Sequence, residues 1–113
     1  MSVAPAHELI GHLRDATLQT AAYIDGMTKS DFVADKRTQQ AAILNLIIIG
    51  ESATKMMDRY PDFVAAHPEV DWRAMRGMRN RIAHGYYEID LEVVWETVSS
   101  ALPKLAKLLR DFP

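Results

Sequence analysis

The sequence predicts an all-α protein, an up-down bundle of four main helices joined by short turns. Three observations lead there. Apolar residues recur at three- and four-residue steps through several long stretches. No segment alternates cleanly between apolar and polar residues. Residues that start or stop helices stand at the ends of the periodic stretches.

The first helix is expected from about Pro5 to Met27, with Pro5 at an early helical position and Gly26 near the end. Leu9, Ile10, Leu13, Ala16, Thr20, Tyr23, Ile24 and Met27 make its apolar stripe. Thr28 and Asp31 form a capping-box variant, opening a short turn of helix over Asp31 to Ala34. A long helix follows from about Asp35 to Arg59. Its middle, AAILNLIIIG, is apolar nearly all round, as in a central buried helix; its length and polar flanks outweigh the strand preference of the isoleucines. Pro61 ends or interrupts it, and Asp62 to His67 can add one more turn before Pro68. Asp71 can cap a helix from Trp72 to about His84, with Gly85 at the left-handed position that closes it. Asp90 can cap the last helix, Leu91 to about Leu109. Pro103 inside it should kink or split it.

The chain has 113 residues, which suits a single domain over residues 1–113 and lets it bury roughly two-thirds of its unfolded surface. There are 13 Lys+Arg against 15 Asp+Glu, so net charge gives no general pull toward nucleic acid or an acidic membrane. The absence of cysteine excludes disulfides, thiolate metal sites and cysteine nucleophiles, and fits a cytoplasmic location. The N-terminal MSVAPAHELIGHLRDA lacks a basic start followed by an apolar core, so no signal peptide is expected. The longest uncharged stretch, Thr38 to Gly50, is too short to span a bilayer.

One region departs from the average. Trp72 to Tyr87 holds Arg73, Arg76, Arg79, Arg81 and His84 with no acidic residue, giving an acidic protein one local positive field that can hold phosphate. Arginine suits this because its planar fork pairs with phosphate oxygens. The plain alternative is a solvated helix face paired with acids elsewhere. Asn80 and His84, four apart, share a face. Arg79 and His84, five apart, diverge by about 140° on an ideal helix. A site using both therefore needs a bend at the helix end or two copies facing each other. His84 can move the proton of an attacking hydroxyl while Arg79 steadies charge at phosphorus. It can equally be a stabilising residue at a helix C-terminus.

The stretch RGMRNRIAHGYYEIDLEVVWETV, with Arg79, Asn80, His84 and Tyr86 in place, resembles the HepT-like branch of the HEPN superfamily. DKRTQQAAILNLIIIGESATKM, with Asn45-Leu46 and Gly50-Glu51, is similar to that family's long second helix, and HPEVDWRAMRGM and the late LPKL also fit. The resemblance runs from about Leu9 to Leu109. It implies a four- to five-helix HEPN-like bundle forming a homodimer, with both Arg–His motifs at a shared cleft. It further implies the toxin of a type VII toxin–antitoxin pair, a metal-independent endoribonuclease in which a 2′-hydroxyl attacks the adjacent phosphate to leave a 2′,3′-cyclic phosphate. On that resemblance Arg79 binds the scissile phosphate, His84 is general base or acid, and Asn80 orients the phosphate or the histidine. Arg73, Arg76 and Arg81 are expected to contact RNA. The implied partner is a minimal nucleotidyltransferase antitoxin of the MNT type, which transfers adenylate to Tyr86. The added phosphate would repel RNA from a positive cleft. Tyr87 is the neighbouring candidate, and Tyr86 could instead pack the loop.

Glu51 could hold Arg79 or Arg76, or be a plain surface carboxylate. Trp72 and Trp95 are expected as core or dimer-interface anchors. His7, His12 and His67 lack metal-ligand spacing, so neither metal nor cofactor is expected. Two rival readings remain: a bundle that binds nucleotide or RNA without cleaving it, as an accessory subunit of the transferase, and a purely structural helical dimer.

Overall fold

The computed structural model describes residues 4–112, and every described regular element is helical. Helix α1 spans Ala6–Ile24, α2 Lys29–Ala34, α3 Lys36–Arg59, α4 Pro61–Ala66 and α5 Trp72–His84. A short 3-10 turn, Tyr86–Glu88, leads into α6 (Leu91–Glu96), a π-helical turn (Thr97–Ala101) and α7 (Leu102–Arg110).

The helix boundaries follow local chemistry. Thr28 and Asp31 form the full capping box, each side chain accepting from the other's backbone N–H, and α2 begins at once behind Thr28. The Asp35 carboxylate caps α3 by accepting from the Thr38 backbone N–H (3.1 Å) and the Thr38 hydroxyl (2.9 Å). These bonds to the charged form hold its carboxyl below the usual carboxylate range. Asp71 and Asp90 cap α5 and α6 through Ala74 and Glu92. Pro61 occupies the first turn of α4, where its missing N–H costs nothing.

Two glycines end helices in different ways. Gly26, with φ 76°, is the left-handed residue, and it stops α1 at Ile24, short of Met27. Gly85 is not left-handed: its φ is −142°. The chain does not reverse there. It continues into the 3-10 turn, which the Glu88 N–H closes on the Gly85 carbonyl at 2.9 Å.

Pro103 does split the last helix, in a specific way. It lies in the first turn of α7, and the preceding turn widens so that the Leu102 N–H reaches back five residues to the Thr97 carbonyl. Proline has no N–H for the Ser99 carbonyl and its ring crowds that oxygen, so a π-turn relieves both problems without ending the rod.

α3 is the central element, packed on α1 along one side and on α5 along another, while α7 lies on α1. α1 and α3 run antiparallel: the Tyr60 hydroxyl at the end of α3 donates to the Ala4 carbonyl before α1 at 2.7 Å. Arg14, in mid-α1, donates to the Leu109 and Phe112 carbonyls and so satisfies the end of α7. The core between these helices is built on Leu13, Phe32, Ile49, Met56, Val98 and Leu109. Trp72 is buried, its indole N–H donating to the His67 carbonyl, and Trp95 packs on Phe32 with ring centroids 5.4 Å apart. Tyr23 does not join the buried stripe of α1, being 43% exposed; Thr17 is buried in that stripe instead.

The middle of α3 is not buried all round. Leu44 is 58% exposed and Ile48 36% exposed, and with Glu51 they form an i, i+4, i+7 row along one face. No helix among the described residues is long and apolar enough to cross a membrane.

Candidate active site at the α3–α5 crossing

α5 rests on α3 at an unusually close approach. Gly50, buried in α3, faces α5, and the nearest atoms across the gap are the Arg79 side chain and the Met75 carbonyl. The crossing puts Arg79 beside Glu51, the residue after Gly50. Arg79 Nη1 donates to Glu51 Oε1 at 2.8 Å. Its other edge is engaged by its own neighbour: Nε (3.1 Å) and Nη2 (2.8 Å) both donate to Asn80 Oδ1. The arginine side chain is 22% exposed against 48% for the glutamate, so the pair lies partly inside the surface. Such a charge-assisted contact fixes the plane of the guanidinium as well as its place.

Arg76, one turn earlier, is also tied to α3: Nη2 donates to Asp58 Oδ1 at 3.0 Å, and Nε points to the Thr54 hydroxyl at 3.4 Å. Arg73 and Arg81 go elsewhere. They line an open groove of about 1240 Å³ between α5 and the α6–α7 rod, with Lys104, opposite Asp90, Glu92 and Glu96. Neither forms an ion pair among the described residues. The expectation of one continuous positive field is therefore corrected. The helical period sends the four arginines to two flanks: carboxylates pair with Arg76 and Arg79 on one, while Arg73 and Arg81 share the other with a groove that acidic residues also line.

His84 is exposed in the last turn of α5. The helix runs without interruption from Trp72 to His84, so the bend that would turn Arg79 and His84 onto one point is absent from the single chain. Tyr86 follows at the same end, 51% exposed. Its ring meets that of Tyr87 edge-on at 5.7 Å, and Tyr87 is 97% exposed. The structure thus joins Arg79, Asn80 and Glu51 in one cluster, puts His84 and Tyr86 at the adjoining helix end, and turns Arg73 and Arg81 toward the groove, away from the Arg79 cluster. Among the described residues no three His, Asp or Glu side chains gather as metal ligands.

The sequence reading overlooked Gly50 as the contact point and Asp58 as the partner of Arg76. A lone glycine within an apolar helical run signalled the first, since it marks a close backbone approach. Nothing in the spacing signalled the second.

A family model described as Ribonuclease HepT-like matches residues 13–112. Among curated proteins, the chain is 43% identical over 75 residues to one from Thermococcus cleftensis named by inference as ribonuclease HepT; the match covers 66% of each chain. It is 32% identical over 89 residues to one from Methanocaldococcus jannaschii named by inference as an RNase, covering 79% of this chain and 71% of that one. A protein of Caldanaerobacter subterraneus subsp. tengcongensis with a similar name is 32% identical over 88 residues, covering 78% of this chain and 76% of its own. No solved structure matches.

Proposed function

The chain belongs to the ribonuclease HepT-like family, and on that premise we propose that it is an endoribonuclease, the toxin of a toxin–antitoxin pair. The observation that carries this reading is the held guanidinium of Arg79 on the helix that ends in His84. Arg79 offers planar, oriented donors to a scissile phosphate and stabilises the charge that builds on its oxygens. His84 takes the proton of the 2′-hydroxyl as it attacks phosphorus, and the departing 5′-oxygen is protonated in turn. The products are a 2′,3′-cyclic phosphate and a 5′-hydroxyl, with no metal ion required.

A single α5 points Arg79 and His84 in different directions, so the reading includes a homodimer in which each copy completes the other's cleft. The exposed Leu44–Ile48 row, leading to Glu51, is a suitable apolar face for that contact. One His84 then acts as base and the other as acid. Arg73, Arg76 and Arg81 contribute to RNA attraction rather than to the reacting phosphate. A nucleotidyltransferase antitoxin adds adenylate to Tyr86, whose exposed phenol lies two residues beyond His84. The new phosphate excludes RNA from the cleft. The protein acts in the cytoplasm, where its RNA is.

The same contacts favour a second reading. Glu51 and Asn80 already occupy the Arg79 fork, which suits a module that holds RNA or nucleotide without cleaving it. One experiment separates the two. Purified wild-type and His84→Ala protein are incubated with total RNA and tRNA in EDTA, and product ends are mapped. Cleavage by wild type alone, leaving cyclic phosphates, supports the RNase reading. Silence from protein shown unmodified at Tyr86 by intact mass supports the binding module. Silence from adenylylated protein is resolved by repeating the test on Tyr86→Phe.

A further inference from the structure

Gly50 is buried in the middle of α3, where a glycine is less favourable than alanine for helix formation. What it faces accounts for it. A methyl group built there overlaps Cβ of Arg79 and stands 2.8 Å from the Met75 carbonyl oxygen and 3.2 Å from Arg79 Cγ. Two of these three obstacles cannot swing away. One is backbone in the first turn of α5 and one is the first atom of a side chain, so no rotamer change makes room and α5 itself must move.

We propose that Gly50 is a positioning residue for Arg79: the bare α3 surface at the crossing sets the distance at which Glu51, one residue on, holds the guanidinium. The inference rests on the reading of Arg79 as the phosphate-binding group. Its action is local for two reasons. Arg79 leaves α5 at the crossing itself, so a displacement of the helix passes directly into the 2.8 Å contact with Glu51. The groove on the far flank of α5 leaves the helix room to shift outward without meeting α6 or α7. An added Cβ at position 50 therefore lifts Arg79 away from Glu51 and leaves the α1–α3–α7 core in place.

The test compares the parent protein with Gly50→Ala, Glu51→Gln and the double variant, all carrying Gly11→Ala. Gly11 has nothing within 4 Å of an added Cβ, so that change reinforces α1 and offsets a loss of stability. Three quantities are read: cooperative melting, RNA cleavage at saturating substrate, and the NMR signal of the Arg79 Nη1 protons that Glu51 accepts, assigned by its loss in Arg79→Lys. We expect Gly50→Ala to melt cooperatively, to lose the held Arg79 signal, and to cleave about ten- to a hundredfold more slowly, the scale of an ångström-sized misplacement. In the Glu51→Gln background the same change should cost less than about twofold, because the pair it acts through is already weakened.

Arg79→Ala separates the possible failures. If it cleaves like the parent, the reading of Arg79 fails and the positioning role falls with it. If it is inactive while Gly50→Ala keeps full rate and an unaltered Arg79 signal, the positioning role alone is overturned. Equal losses with and without Glu51→Gln, or a Gly50→Ala chain that does not fold even with Gly11→Ala, make Gly50 a packing residue and also overturn it. If the parent cleaves no RNA, the Arg79 signal decides by itself: its persistence in Gly50→Ala sinks the proposal.

Discussion

The two flanks of α5 take the same residue type to different ends. On the flank turned toward α3, Arg76 and Arg79 are each tied to a carboxylate on that helix. On the other flank, Arg73 and Arg81 border a wide groove and form no ion pair among the described residues. An exposed arginine pair adds little to stability, typically about 0–1 kcal/mol, so the tether matters for geometry more than for folding. A guanidinium that is held can meet a phosphate in a fixed plane, whereas a free one contributes charge that salt screens away. The density of arginine along the sequence therefore does not mark the site. On the proposed reading, the phosphate goes to one of the two arginines that are held.

The sharpest way to break this contrast is Arg79→Lys. The ammonium keeps the charge but cannot reproduce the fork, and RNA cleavage should fall by about two to three orders of magnitude with the fold intact by circular dichroism. Normal cleavage by the lysine variant would mean that the tethered flank is not the chemical one. Glu51→Gln should cost less, about tenfold and mainly in kcat, since loss of the charge weakens the hold on Nη1 while Asn80 keeps the other edge of the guanidinium. A change confined to KM would assign Glu51 to binding instead.

The free flank should behave differently. Arg73→Ala combined with Arg81→Ala should raise KM about two- to fivefold, leave kcat unchanged, and lower the salt dependence of RNA binding by roughly one unit per arginine lost from contact. A fall in kcat matching that of Arg79→Lys would erase the distinction between the flanks. The smallest effect is expected at Gly77, between the two free arginines, where an added Cβ meets nothing within 4 Å. Gly77→Ala should stabilise the protein by about 0.5–1 kcal/mol and raise Tm by a few degrees, the opposite sign from Gly50→Ala. A thermal melt of the two alanine variants side by side checks both signs.

Most of the fold was legible because its signals are local. The Thr28–Asp31 capping box, the Asp71 and Asp90 caps, the proline at position 61 and the apolar period of each long helix all act within one or two turns. The misses share a different cause. Gly26 and Gly85 are equally permissive, and which one turns left-handed depends on where the chain must go next. Pro103 announced the split that the structure shows, and only its form as a π-turn depends on the rod keeping its seat against α1. Leu44 and Ile48 look like core residues in a one-dimensional pattern, and only the placement of α1 and α5 shows that no helix among the described residues covers this face.

The candidate site divides along the same line. The residue types, the spacing of Arg79, Asn80, His84 and Tyr86, and the lone glycine inside an apolar run are properties of the chain, and periodicity alone assigns each to a face of its helix. The crossing of α3 and α5 is not such a property. It brings residues 28 positions apart into a 2.8 Å contact, ties Arg79 and Arg76 but not Arg73 and Arg81, and puts a glycine at the closest approach. Which groups each helix carries, and on which face, follows from the chain alone, because backbone hydrogen bonding repeats every few residues. Which of those groups meet follows from the packing, because it depends on how closely two helix surfaces can approach.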